Sequence, residues 1–293
     1  MADITIARLD ASGVQQQESK GTDTAVLQVA AYAAGDSVRF TAEGTAFVWI
    51  CIAEGVKEAL IYLPGGSYRF PIPTGEALAG FAPGTFDGAQ TVTARAATQE
   101  EIHTYRNLAL NPLDVRLKAE MVDPDAPEWS NPTNSAAMEQ GLVTGYPHAY
   151  ANRVTRNEGC FYARNAIDGV ITAGGHGPWP YHSWGGAVHE DLSYTVYFGR
   201  TVEVDKMVLY LRSDYGLNEL GQEHDTYWHT AILEFSDHSE LEIHPVKTGD
   251  AQTFAFPAIE TDWVKFKRMD PFRTDKSLNF AALMQIEFWG RDK

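Results

Sequence analysis

Two short stretches hold most of the side chains in this 293-residue chain that could do chemistry together. The first, "HGPWPYHSWGG" at 176–186, carries two tryptophans, a tyrosine and two histidines among prolines and glycines, with no aliphatic residue. Proline removes backbone donors and glycine raises the entropic cost of ordering, so such a loop is stable only if some of its rings pack. The second, "LRSDYGLNELGQEHDTYWHTA" at 211–231, offers Arg212, Asp214, His224 and Trp228 between two apolar strands. Flat apolar ring faces combined with fixed donors and acceptors are what recognition of a polyhydroxylated ring requires. Trp179, Tyr181, Trp184 and Trp228 are the candidate ligand-binding rings; one of the three in the first loop must pack in the core, and Trp184 is the first choice for that role. Arg212, Asp214, His182 and His224 are the candidate hydroxyl partners. Arg212 and Asp214 are two apart at a strand end and share a face if both stay on the strand. They either bind neighbouring hydroxyls together or form an internal salt bridge that anchors the loop.

Other chemistries fit less well. His176, His182, His224 and His229 fall in these loops, but no His-Glu-x-x-His occurs and the spacing gives no zinc site. Glycoside hydrolysis needs two carboxylates about 5–9.5 Å apart. Glu190, Asp191, Asp214, Glu219, Glu223 and Asp225 supply carboxylates, yet spacing selects no pair. A lyase base could be drawn with Tyr215 or His224 beside Arg212. There is no Gly-x-Ser-x-Gly, and "GGSYRF" lacks the lysine of a P-loop.

The elements that must position these loops are strands. Residues 24–120 alternate apolar runs with turn residues: "TAVLQVAAYAAGDSVRFTAEGTAFVWICIA" reads as three strands, "EALIYLPGGSYRFPIP" as a pair and "AQTVTARAAT" as another. "TQEEIHTYRNLAL" is the one expected helix there, capped by Thr98. Beyond a stretch interrupted by Pro112, Pro124, Pro127 and Pro132, strand signals resume in "LSYTVYFG", "EVDKMVLYLRSD", "TAILEFSD", "SELEIHPV", "QTFAFPA", "DWVKFKRM" and "LMQIEFWG". Asp237-His238 marks a hairpin turn. The expected class is all-β, with two β-sandwich, jelly-roll-like domains. Residues 1–110 form the first, 111–133 a Pro-rich acidic linker, and 134–293 the second. Eight of nine histidines and six of seven tryptophans follow residue 128, which puts the ligand-facing surface in the second domain.

Residues of about 135–290 resemble the discoidin, or coagulation factor 5/8 type C, galactose-binding-like domains and related carbohydrate-binding modules. The likeness rests on "FYARNAIDGV" at 161–170, Trp184, "LSYTVYFGRTVEVDKMVLYLR", "ILEFSDHSELEI" and the terminal "ALMQIEFWG". It implies a galactose-binding-like sandwich that binds ligands with the loops at one end. It also implies a structural calcium (Ca2+) held by Asp168, Thr172 and Glu287, with carbonyls from Asn165 and Met284 or their neighbours. "GYPHAYAN" and the His-rich loop depart from the commoner members of that group.

Composition narrows the partners. With 39 acidic and 23 basic residues the formal charge is −16. No Lys/Arg cluster exists to track a phosphate backbone, so no nucleic acid is expected. No apolar run approaches a membrane span, so no membrane insertion is expected. A neutral glycan or oligosaccharide is the expected partner, bound without catalysis. A protein-interaction or structural module, or an accessory or catalytic part of a carbohydrate-active hydrolase or lyase, is the alternative. "MADITIARLD" is not a secretory signal, which leaves a cytoplasmic chain or a trimmed secreted one. Cys51 and Cys160 are expected as free thiols.

Overall fold

The computed structural model describes residues 2–115, 144–186, 191–212, 226–271 and 280–293. Its first 96 residues make two four-stranded antiparallel sheets. One contains β1 (Asp3–Leu9), β2 (Gln15–Thr22), β4 (Ser37–Ala42) and β7 (Ser67–Pro71), in the order β2-β1-β4-β7. The other contains β3 (Thr24–Val29), β5 (Ala46–Cys51), β6 (Ala59–Leu63) and β8 (Gln90–Ala96), in the order β3-β8-β5-β6. Period-2 alternation turns Ile4, Ile6, Phe40 and Phe70 of the first sheet toward Leu27, Ile50, Ile61 and Val92 of the second, in one shared core. This is the expected sandwich, with two differences. β6 and β7 do not pair across Pro64-Gly65-Gly66: β6 joins β5 and β7 joins β4. β1 and β2 were not foreseen, and "QQQESKGT" in β2 is polar on both faces, with no buried residue to mark it.

Thr98 caps α1 (Gln99–His103) as expected, in a reciprocal capping box with Glu101. The helix is only five residues long, because the chain then enters β9 (Arg106–Asn107), an edge of the seven-stranded sheet built by the second half.

The second half builds one seven-stranded antiparallel sheet that encloses its own core. Its members are β9, β10 (His148–Ala151), β11 (Ser193–Arg212), β12 (Trp228–Phe235), β13 (Glu240–Ile243), β14 (Gln252–Pro271) and β15 (Ala282–Asp292). Pairs of segments that read as separate strands are continuous: "LSYTVYFG" with "EVDKMVLYLR" in β11, and "QTFAFPA" with "DWVKFKRM" in β14. Their shared register breaks between Tyr197 and Val202 and again between Val204 and Lys206. Such irregularities let a long strand bend over the core. Gly199 sits at the first break with φ 70°, where a Cβ would come within 2.5 Å of the Tyr146 ring. The β12–β13 hairpin turns through Asp237-His238 as expected, with His238 at φ 65°. Both cysteines are free, Cys160 buried and Cys51 half-buried. Among the described residues no helix is long and apolar enough to cross a membrane.

The two sandwiches meet over a polar seam. The stretch expected to open the linker is packed there: Asn111, Leu113 and Asp114 are buried, and residues 116–133 lie outside the described residues. Asp114 accepts from His148 at 2.7 Å and from the Ala149 amide at 2.8 Å. The buried Arg164 guanidinium donates to the carbonyls of Asp114 and Pro112 and stands 4.4 Å from the Phe81 ring centroid. Tyr62 and Tyr146 exchange backbone hydrogen bonds across the seam.

Candidate functional site

The aromatic loop is fixed at its C-terminal end by three backbone contacts. Trp184 and Leu283 of β15 exchange N–H···O bonds of 2.8 Å in both directions. Ser183 N donates to Cys160 O at 3.0 Å, and Thr155 N donates to Gly185 O at 2.6 Å. Toward its N-terminal end the loop leans on the first sandwich, through Trp179 N to Ala79 O at 2.7 Å. One loop is thus held by both units.

These anchors settle where the rings go. Trp184 is fully buried, its Nε1 donates to Arg153 O at 3.0 Å, and it stacks on Trp228 at 5.7 Å and 25°. A ring buried on every side offers no face to a ligand, so Trp184 is the core ring of its loop and no longer one of the candidate binding rings. Trp228 leaves that set for the same reason: it is also fully buried, against Trp184 and Phe266. The first residue of β12 faces inward because Ala231, Leu233 and Phe235 of that strand fill the same core. Trp179 and Tyr181 are 39% and 40% exposed and remain available for stacking. His182 is buried, with Nε2 2.7 Å from Asp168 Oδ2, so it supports the loop from beneath.

Arg212 ends β11 and is 3% exposed, with Nη2 donating to the Phe280 carbonyl at 3.4 Å. Asp214 and His224 lie outside the described residues, as do Glu190, Tyr215, Glu219, Glu223 and Asp225. The Arg212–Asp214 pairing therefore has no described geometry. Of the carboxylates considered for catalysis, Asp191 is described, and both its oxygens accept from the Arg153 guanidinium at 3.1 Å.

Around Arg212 the structure gathers residues that the sequence reading did not select. A small recess of about 40 Å³ is lined by Arg212, Phe280, His176, Thr155, Arg156 and Phe161, with Gly185 and Ala281–Ala282. Arg156 takes a left-handed φ of 48°, a costly conformation for a non-glycine residue. A two-pronged pair with Glu158, at 2.6 and 2.9 Å, holds it there, and hydrogen bonding from that guanidinium holds the Glu158 carboxyl below its ordinary range. Phe280 had a readable signal, since "NFAALM" places an aromatic just before the last apolar strand. Thr155, Arg156 and Phe161 reach the recess through irregular 3-10 turns that no periodicity announces.

The side chains expected at the calcium position are engaged with protein groups. Asp168 Oδ1 accepts from Val170 N at 2.9 Å, Oδ2 faces His182, and the Arg164 guanidinium stands 4.0 Å away. Calcium takes six to eight oxygens, whereas this carboxylate is surrounded by N–H donors. Glu287 Oε2 accepts from Trp289 Nε1 at 2.7 Å. Asn165 directs its side chain to the carbonyls of Gly159 and Ser183, Met284 is buried in β15, and Thr172 is half-buried. Gly169 N donates to Gln285 Oε1 at 3.1 Å and ties the first loop to the last strand. Among the described residues no three His, Cys, Asp or Glu side chains group as metal ligands.

No family model and no curated protein matches the chain. It is similar to solved modules. One is a mutant of chitosan-binding module 1 from a chitosanase/glucanase of Paenibacillus sp. IK-5 (TM-score 0.36, 15% identity, 64% of this chain and 100% of that one). Another is the family 32 CBM from C. perfringens NanJ, solved with galactose (TM-score 0.35, 16% identity, 48% and 91%). A third is the lectin domain of lectinolysin, solved with Lewis B antigen (TM-score 0.34, 16% identity, 50% and 94%). All three are carbohydrate-binding or lectin modules.

Proposed function

We propose that the chain binds a neutral carbohydrate, without catalysis, at the loop end of its second sandwich. The observation that carries this reading is the recess where the buried Arg212, the half-buried Phe280 and the exposed His176 converge. A fixed guanidinium supplies donors, the phenyl ring an apolar surface, and the imidazole a partner for a hydroxyl. At about 40 Å³ the recess is too small to enclose a sugar ring, so the sugar rests across it. Trp179 and Tyr181 give the same loop two exposed rings for a longer ligand. The formal charge of −16 disfavours anionic glycans.

A shallow site with few hydrogen bonds binds weakly, with a Kd of roughly 10 μM to 1 mM for an isolated sugar. A glycan array probed with the whole chain tests the reading, beside the His176→Ala variant. Neutral glycans retained by the wild type and lost by the variant support it. An empty array, or one whose hits are all acidic, refutes it.

A further inference from the structure

A second cavity, of about 390 Å³, lies where the two sandwiches meet and shares no lining residue with the loop-end recess. That volume falls within the range of small-ligand sites, about 300–1,000 Å³. The half-buried rings of Trp49, Tyr105 and Trp289 line it, and Lys57, Arg106, Arg200 and Glu287 supply its charged groups.

Those charges do not balance. Arg106 and Arg200 converge on the single carboxylate of Asp292, one on each oxygen. Burial holds the Arg106 guanidinium below its ordinary range; Asp292 opposes that shift and the neighbouring Arg200 adds to it. Two cations that share one counter-ion are under-compensated. Glu287, the other carboxylate, already accepts from Trp289 Nε1 at 2.7 Å. Lys57 is exposed and has no ion pair or side-chain hydrogen bond with the described residues. Its side chain crosses the junction, with Cδ 4.0 Å from the place a Cβ would take on Gly169 of the second sandwich. Three cations thus meet two carboxylates around one space, and Lys57 carries the surplus. The formal charge of −16 does not cancel it, because exposed charges farther away than about 8–10 Å are largely screened at physiological salt.

The rings fix the rest of the ligand's chemistry. Tyr105 lies 5.9 Å from Trp289 at 32°, and its hydroxyl donates to Asp205 at 2.6 Å. Arg95, itself paired with Glu101, stands 5.2 Å from the Trp49 centroid. Rings held in place by their neighbours lose little freedom when a ligand arrives. A flat apolar body packs well among them, and one negative charge answers the surplus at Lys57.

We infer that this junction binds a small aromatic carboxylate, its ring among Trp49, Tyr105 and Trp289 and its carboxylate toward Lys57. The site goes beyond the loop-end reading and does not rest on it.

The test is a ¹H–¹⁵N spectrum of the seven tryptophan indoles of the whole chain. The probes are benzoate and phenylacetate, with phenylacetamide as the uncharged control and acetate as the control without a ring. Trp49→Phe and Trp289→Phe assign the two junction signals, and dispersion of the remaining indoles reports that each variant is folded. At least one aromatic carboxylate should shift both junction signals, with an affinity at least about tenfold above that of the amide and of acetate. Lys57→Gln, a change at an exposed residue, should weaken that binding about tenfold. Glu287→Gln removes an opposing charge and keeps an acceptor for Trp289, so it should strengthen binding about twofold. Junction signals that neither aromatic carboxylate moves overturn the inference. So does an amide, or acetate, that binds as well as the aromatic acids. Wild-type affinity in Lys57→Gln, or binding by Glu287→Gln that is no stronger than wild type, overturns it too.

Discussion

Trp179 and Trp184 lie five residues apart in one loop and end in opposite environments. Trp184 is pinned by paired backbone bonds to a core strand and is fully buried against Tyr194 and Trp228. Trp179 sits between two prolines, touches the first sandwich through one backbone bond and is 39% exposed. The same side chain is scaffold in one place and available surface in the other. What separates them is whether the backbone joins the sheet, a long-range contact that ring content does not reveal.

The comparison is easiest to break with stability. Trp184→Ala should cost about 3–5 kcal/mol in urea unfolding, as large core truncations do, whereas Trp179→Ala should stay within about 1 kcal/mol of wild type. Equal costs would erase the distinction between the two halves of the loop.

A smaller effect comes from the support beneath the buried half. Asp168→Ala strands His182 and Val170 N, and should cost about 1–3 kcal/mol. The donors around Asp168 predict that EDTA leaves the wild-type melting temperature unchanged. A drop that added calcium restores would show a metal-bound arrangement of this loop, and would make the calcium set expected from the sequence the better account.

The smallest effect concerns Cys160, whose carbonyl receives Ser183 N. Burial, and then the nearby Glu158, push its thiol up to about 11, so little thiolate exists at pH 8. Native Cys160 should alkylate at least about tenfold more slowly than in the unfolded chain, and more slowly than the less buried Cys51. Alkylation at the unfolded rate would mean that the buried half opens freely.

The strand content was readable because its apolar residues come in short alternating or continuous runs bounded by turn residues, as in "TAVLQV" and "AILEF". What stayed hidden depended on partners distant in sequence. β2 has no apolar face to announce it, β6 and β7 separate because each finds a different sheet, and two segments that read as separate strands run on as β14. The place of Arg212 at a strand end was readable, since the apolar run before it is the last part of β11. Trp228 was misplaced because its loop composition suggested exposure while its strand position puts it in the core. Phe280, Arg156 and His176 meet Arg212 only after three separated turns converge.

The most direct measurement is isothermal titration of a neutral array hit into wild type, Arg212→Gln and His176→Ala, with a thermal melt of each. The recess predicts that both variants lose at least about tenfold in affinity, consistent with one charge-assisted or neutral hydrogen bond each. The exposed His176→Ala variant should melt within a few degrees of wild type. Wild-type affinity in both folded variants would contradict the account, and binding that fails in Arg212→Gln only because the variant has unfolded, with His176→Ala unaffected, would contradict it as well.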